Sequence, residues 1–182
     1  MKKTLLRVTI LITAFSILSM ILYGLCYLAR EYSTPRVYEE QVIRYSFAYE
    51  VDANLVYAVI KAESGFDRRA VSSKGAEGLM QLTKTTSIYV AEKLGENPEG
   101  IDLFDADTNL KYGTWYLSYL IKKFGNTDLA ILAYNAGEGN VRKWMREGLT
   151  AEDLSEVPFP ETRAYLERVK KYYNLYRRKY YY

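Results

Sequence analysis

Ala53-Asn54-Leu55-Val56-Tyr57-Ala58-Val59-Ile60-Lys61-Ala62-Glu63-Ser64-Gly65 sets the pattern for most of the chain. Leu55, Val56, Val59 and Ile60 recur at helical spacing and fall on one face. Asp52 stands before the run as the expected N-cap, and Ser64-Gly65 ends it. Glu63 follows Val56 by seven and Ile60 by three, so it closes the apolar stripe of its own helix. A carboxyl group held there is partly desolvated. Its pKa rises, and it can keep its proton near neutral pH, as a general acid must. The same position also suits a helix-end glutamate that turns its carboxylate to water, and periodicity alone leaves both readings open.

Working outward, the helical period continues with no sustained two-residue alternation, which predicts an all-α body. Helices are expected over Val37–Glu50, Ala53–Glu63, Thr85–Leu94, Asp107–Phe124, Leu129–Asn135 and Val141–Glu147. Gly125 stops the fourth of these, Thr127 or Asp128 caps the fifth, and Gly137 and Gly139 interrupt the sequence that follows. A last helix should start at Pro160, because proline fits the first turn and Glu161 suits the positive end of the dipole. Leu166, Val169, Tyr173, Tyr176 and Tyr180 recur along it, with core expected for the first half of that stripe. Residues 161–182 hold seven Lys and Arg, two Glu and seven Tyr. Such a tail is either a solvated face with packed tyrosines or a contact for an anionic surface.

The N-terminus reads differently. Val8–Ala29 is a 22-residue uncharged stretch behind Lys2, Lys3 and Arg7 and ahead of Arg30. As a helix it would extend about 33 Å, enough to cross a hydrocarbon core. A cleaved signal peptide shares the charged start and apolar middle, but this run ends in Leu25, Tyr27 and Leu28 without a small-x-small site. A retained single-pass anchor is therefore expected. The three leading cations would keep the N-terminus in the cytoplasm and put the remainder outside. Cys26 follows Leu25, where lipoprotein processing generally wants a small residue. The expected organisation is residues 1–30 as N-terminus and transmembrane anchor, 31–36 as a linker around Pro35, and 37–182 as the folded domain.

Composition excludes much else. The 182 residues contain 25 Lys and Arg, 22 Asp and Glu, one Cys and no His. Beyond residue 30 the balance is 21 basic against 22 acidic side chains, which argues against nucleic-acid binding. Without histidine there is no Ser-His-Asp or Cys-His catalysis and no imidazole-bound zinc, and one cysteine makes neither an internal disulfide nor a cysteine-rich metal site. Neither G-x-x-x-x-G-K-[ST] nor G-x-G-x-x-G occurs. No metal and no organic cofactor are expected, and acid–base work falls to carboxylates, tyrosine or lysine.

The residues around Glu63 sharpen the reading. Glu63-Ser64-Gly65-Phe66, Ala70-Val71-Ser72, Gly75-Ala76, Gly78-Leu79-Met80-Gln81-Leu82, Ala133-Tyr134-Asn135-Ala136-Gly137 and Pro158-Phe159-Pro160-Glu161-Thr162-Arg163 together resemble the motifs of soluble-lytic-transglycosylase (SLT) domains, in the family's order, over about Val37–Tyr176. The resemblance implies a lysozyme-like α fold that acts on peptidoglycan glycan strands, at the β-1,4 bond between N-acetylmuramic acid and N-acetylglucosamine. It implies that Glu63 is the single catalytic acid and that the muramic acid's own C6 hydroxyl attacks C1, leaving a 1,6-anhydro end. Ser72 matches a serine that bonds the sugar, Met80 and Gln81 match cleft-lining positions, and Tyr134 matches a tyrosine whose hydroxyl approaches the acid. Asn135 continues that motif, and Glu161 lies where one side of the cleft closes.

Two positions depart from the family pattern. Thr83-Lys84 stands where methionine and proline are frequent, and Glu77 puts a charge where relatives often have none. The alternatives are a hydrolytic muramidase like goose-type lysozyme, for which Glu77, Asp67 or Asp102 would have to help activate water, and a non-catalytic glycan-binding scaffold. The sequence names no protein partner.

Overall fold

A computed structural model describes residues 2–180, with the side chains of residues 2–6, 8–9 and 29–33 left aside. Tyr181 and Tyr182, counted in the tail above, lie outside the described residues, as do the side chains of Lys2, Lys3 and Arg30. The chain divides after Pro35 into two compact units. The first is a single helix, α1, Lys2–Ser33. Its Ile10–Leu28 segment is long and apolar enough to cross a membrane and is wholly unburied. Thr13 and Ser16 return their hydroxyls to the carbonyls of Ile10 and Ile12, both at 2.9 Å, so these two polar groups are satisfied within the helix. The helix takes in Glu31, Tyr32 and Ser33, three of the residues expected as linker. It stops where Pro35 disfavours helical backbone in the residue before it.

The second unit is all helical apart from two isolated bridges, Val71–Glu77 and Glu77–Leu82. Its elements are α2 (Glu39–Tyr49), α3 (Ala53–Glu63), α4 (Lys84–Leu94), α5 (Ala106–Phe124), α6 (Thr127–Ala136), α7 (Glu138–Arg146) and α8 (Pro160–Lys179). The all-α expectation holds. Helix α3 has the predicted limits, and Asp52 caps it by accepting from the Asn54 amide. The cap of α6 is Asn126, whose side chain accepts from the Leu129 amide, rather than Thr127 or Asp128. Gly125 ends α5 in the left-handed region, so the next extended residue, Asn126, takes the capping place. The break after Asn135 is a single residue, Gly137. Its φ of 85° and ψ of 142° belong to glycine alone and make it at once the end of α6 and the cap of α7. Gly139 lies inside α7.

Helix α3 is the axis of the unit. Val56, Tyr57, Ala58, Val59 and Ile60 are all fully buried, in a core shared with α2, α5, α6 and α8. Its main neighbour is α8. The buried stripe of α8 runs further than its first half: Tyr165, Leu166, Val169 and Tyr176 are all buried, and Tyr176 stacks on Tyr57 with centroids 5.2 Å apart. This pairing carries the C-terminal end of α3, with Glu63, against the N-terminal half of α8.

Candidate active site

Glu63 closes α3 and is only partly exposed. Its Oε1 accepts a 2.6 Å hydrogen bond from the hydroxyl of Tyr165, a buried residue of α8. Burial pushes the carboxyl pKa up from 4.5 to about 7, against the opposing pull of the Tyr165 hydroxyl and of the Arg168 charge. Glu63 can therefore both hold and give up a proton at neutral pH. The Tyr165 phenol is held well above its ordinary range, by burial first and then by Glu63, so it stays a donor.

The backbone beyond Glu63 turns sharply. Ser64 donates its hydroxyl to the Leu79 carbonyl at 2.8 Å and accepts from the Phe66 amide at 3.1 Å. Phe66 and Gln81 both have positive φ, 75° and 48°, the kind of backbone strain that clusters at functional sites. Gln81 is fastened by its side-chain amide to the carbonyls of Ala70 (3.1 Å) and Gly78 (2.9 Å). Ser72 caps its own turn, accepting from the amides of Lys74 and Ala76 at 3.2 and 3.0 Å.

This loop is clamped from beneath by Asn109 of α5, which is fully buried. Its side chain accepts from the Met80 amide at 2.8 Å and donates to the carbonyls of Glu77 (2.9 Å) and Leu103 (2.8 Å). Gly78 crosses so close to the clamp that a Cβ there would sit 2.2 Å from the Leu103 oxygen and 2.3 Å from the Asn109 amide nitrogen. No larger residue fits at position 78.

One expected role changes, and a second tyrosine joins Tyr134 near the acid. The Met80 side chain is fully buried and packs against Gly113 and Thr114, so it supports the loop from the core instead of lining a cleft. Tyr134 donates its hydroxyl to the Met80 carbonyl at 2.9 Å, and the hydroxyl on the acid is that of Tyr165. Tyr134 remains close enough for Glu63 to help burial raise its pKa well above the ordinary value. The Met80 carbonyl accepts the Tyr134 hydrogen bond, whereas α8, packed along α3, delivers Tyr165 to the carboxyl. Tyr165 carried a readable signal: it lies four residues before Val169 and beside Leu166, on the buried face of a helix whose stripe was counted only from Leu166. Nothing local singles out Asn109.

The remaining predicted residues tie the loop to α8. Asn135 accepts a 2.9 Å bond from the Thr162 hydroxyl, which joins the end of α6 to the start of α8. Glu161 is exposed and pairs with Lys74 at 3.4 Å, linking the first turn of α8 to the loop that contains Ser72. Thr83 caps α4 through the Thr86 amide.

Next to Tyr134 the Tyr116 ring lies 5.7 Å away, centroid to centroid, and forms one wall of a groove of about 230 Å³ lined also by Thr85, Thr86, Tyr89 and Glu138. A larger cavity, about 400 Å³, opens at the far end of α3 beside Asp52 and Asp128. Both carboxylates are engaged there, Asp52 by Tyr173 at 2.7 Å and Asp128 by Lys170 at 2.6 Å. None of the predicted site residues lines it.

The three carboxylates that could have assisted Glu63 serve elsewhere. Asp67 accepts from the Arg69 amide and Asp102 from the Phe104 amide, each at 2.8 Å. Glu77 lines a separate hollow with Lys84, Ser87 and Ile101. No carboxylate is among the groups that shift Glu63. Among the described residues no group of His, Cys, Asp or Glu is arranged to hold a metal.

Residues 40–155 match the transglycosylase SLT domain, and the chain belongs to that family. It is 33% identical over 151 residues to the soluble lytic murein transglycosylase of Escherichia coli K12, covering 79% of this chain and 23% of that protein. It is 32% identical over 167 residues to the membrane-bound lytic murein transglycosylase C of Edwardsiella ictaluri, covering 78% of this chain and 46% of the relative. The crystal structure of the 70 kDa soluble lytic transglycosylase from Escherichia coli superimposes with a TM-score of 0.76 at 32% identity, over 86% of this chain and 26% of that one. The chain thus spans about a quarter of the soluble relatives it matches and under half of the membrane-bound one.

Proposed function

We propose that the chain is a membrane-anchored peptidoglycan lytic transglycosylase whose Glu63 acts first as acid and then as base. The observation that carries this reading is the lone, partly buried Glu63 carboxyl, poised near neutral pH by burial against the Tyr165 hydroxyl. Hydrolysis of a glycosidic bond normally uses two carboxyl groups, about 5–5.5 Å apart for retention or about 6.5–9.5 Å for inversion. A site with one suits an intramolecular nucleophile.

Glu63 gives its proton to the glycosidic oxygen as the bond from that oxygen to muramic acid C1 breaks. The C6 hydroxyl oxygen then bonds to C1, and its proton passes to the Glu63 carboxylate, which restores the acid. No water is consumed. The attacking hydroxyl belongs to the same sugar, so the step gains from high effective molarity. Ser72, Gln81 and Asn135 shape the loop edges that would meet the sugar, while Met80, Tyr134 and Tyr165 hold the acid and its loop in place. Glu161 with Lys74 closes one side. The relatives' names, lytic murein transglycosylase in both the soluble and the membrane-bound forms, support this reading.

The unburied apolar segment Ile10–Leu28 supports a single-pass anchor with the catalytic unit on the cell-wall side. The test is mass spectrometry of muropeptides released from purified peptidoglycan by the full chain in detergent, beside Glu63→Gln. Ends lighter by one water that vanish in the variant are expected. Reducing ends would instead make the protein a muramidase, and glycan binding without products would make it a scaffold.

A further inference from the structure

We propose that Arg168 is a positioning residue for Glu63, acting across the ring of Tyr165. The inference rests on Glu63 being the acid. Tyr165 and Arg168 are three apart on α8 and share a face one turn long. The guanidinium carbon lies 5.6 Å from the centroid of the Tyr165 ring, and the hydroxyl of that same ring donates to Glu63 at 2.6 Å. Cation, ring and carboxyl therefore form a continuous series from solvent to the buried acid. A cation against a phenol ring draws density from it and strengthens its O–H as a donor. That bond stabilises the ionised carboxylate. The guanidinium also acts on Glu63 through space, after the Tyr165 bond in size and in the same direction.

The other groups around Glu63 leave this role to Arg168. Tyr134, from α6, is a neutral phenol committed to the Met80 carbonyl. Lys61, on α3 itself, lies 6.0 Å over the Phe66 ring. Lys74 is paired with Glu161. Arg168 is exposed, is in no ion pair among the described residues, and has the Tyr165 ring as its recorded contact. Burial favours the protonated carboxyl, and Tyr165 and Arg168 both act against it, toward release of the proton.

The experiment titrates Glu63 by carbon NMR of carboxyl-labelled glutamate in the full chain in detergent, with its signal identified by loss in Glu63→Gln. Arg168→Gln should raise the midpoint by about half a pH unit, the size expected of a nearby charge screened by solvent. Arg168→Lys should restore most of the difference. In a Tyr165→Phe background the Arg168→Gln shift should shrink, because the ring no longer donates. The alkaline limb of kcat/KM for muropeptide release should move with the midpoint at constant KM. An unmoved midpoint overturns the proposal. A raised KM with an unmoved limb does the same and makes Arg168 a substrate clamp. The titration needs no turnover: a chain that releases no anhydro ends yet shows the shift sinks the proposed activity alone, and anhydro ends with an unmoved midpoint sink this inference alone.

Discussion

On the proposed mechanism, Glu63 sets how both activity and stability respond to pH. Replacing it by Gln removes the proton donor but keeps the shape, so cleavage should fall by about 10²–10⁴-fold with glycan binding retained, read by product release beside a pull-down on peptidoglycan. The same change should stabilise the fold in alkali. The folded pKa, about 7, lies above the ordinary 4.5, so folding takes up a proton between those values. The stability this provides is complete below pH 4.5 and is lost as pH rises through 7. Urea unfolding should therefore find Glu63→Gln more stable than the native chain at pH 8, by up to about 3 kcal/mol, and level with it at pH 4. Tyr165→Phe deletes a bond that favours the carboxylate, so the alkaline limb of activity should move upward by about one pH unit. A limb that moved downward would show that the hydroxyl serves the protonated form. The stripe placed Glu63 at the end of its helix but left open whether its carboxyl turns inward or to water. Tyr165 was readable as a buried position and not as the partner of Glu63, since it lies 102 residues away and meets it only when two helices pack.

At the scale of elements, helices that end in a local chemical signal were readable and long-range clamps were not. Asp52, Pro160 and Gly125 announce their boundaries in the residues themselves. At α6, Asn126, Thr127 and Asp128 are three capping types in a row, and only the left-handed Gly125 before them decides which one serves. The loop from Ser64 to Leu82 has almost no repeating structure, and its shape comes from Asn109. Asn109→Ala should lower stability by on the order of 3 kcal/mol, because the Met80 amide and the Leu103 carbonyl lose their partner and the Glu77 carbonyl keeps only the Leu82 amide. It should also slow cleavage, as the backbone at Met80, beside Gln81, loses its anchor to α5. A lowered urea midpoint with unchanged kcat would separate the loop from the chemistry. Gly78→Ala should be at least as damaging, because the clash falls on backbone as well as on Asn109.

For the whole molecule, the expected consequence of α1 is location. The full chain should sediment with membranes and resist alkaline carbonate, with an intact mass that includes residues 1–30. Release into the soluble fraction at the mass of a shortened chain would mean that α1 is a cleaved signal. The long apolar helix was readable from composition, because an uncharged stretch behind cations needs no tertiary information. The buried aromatic run of α8 was only half readable, because Tyr176 looks like surface until Tyr57 is seen beneath it.

That last helix also makes the site depend on an intact backbone. A cut between α7 and α8 would leave Glu63 without the hydroxyl that tempers it and α3 without its main neighbour. Proteolysis at that one connection would therefore disarm the carboxyl and loosen the core in a single event.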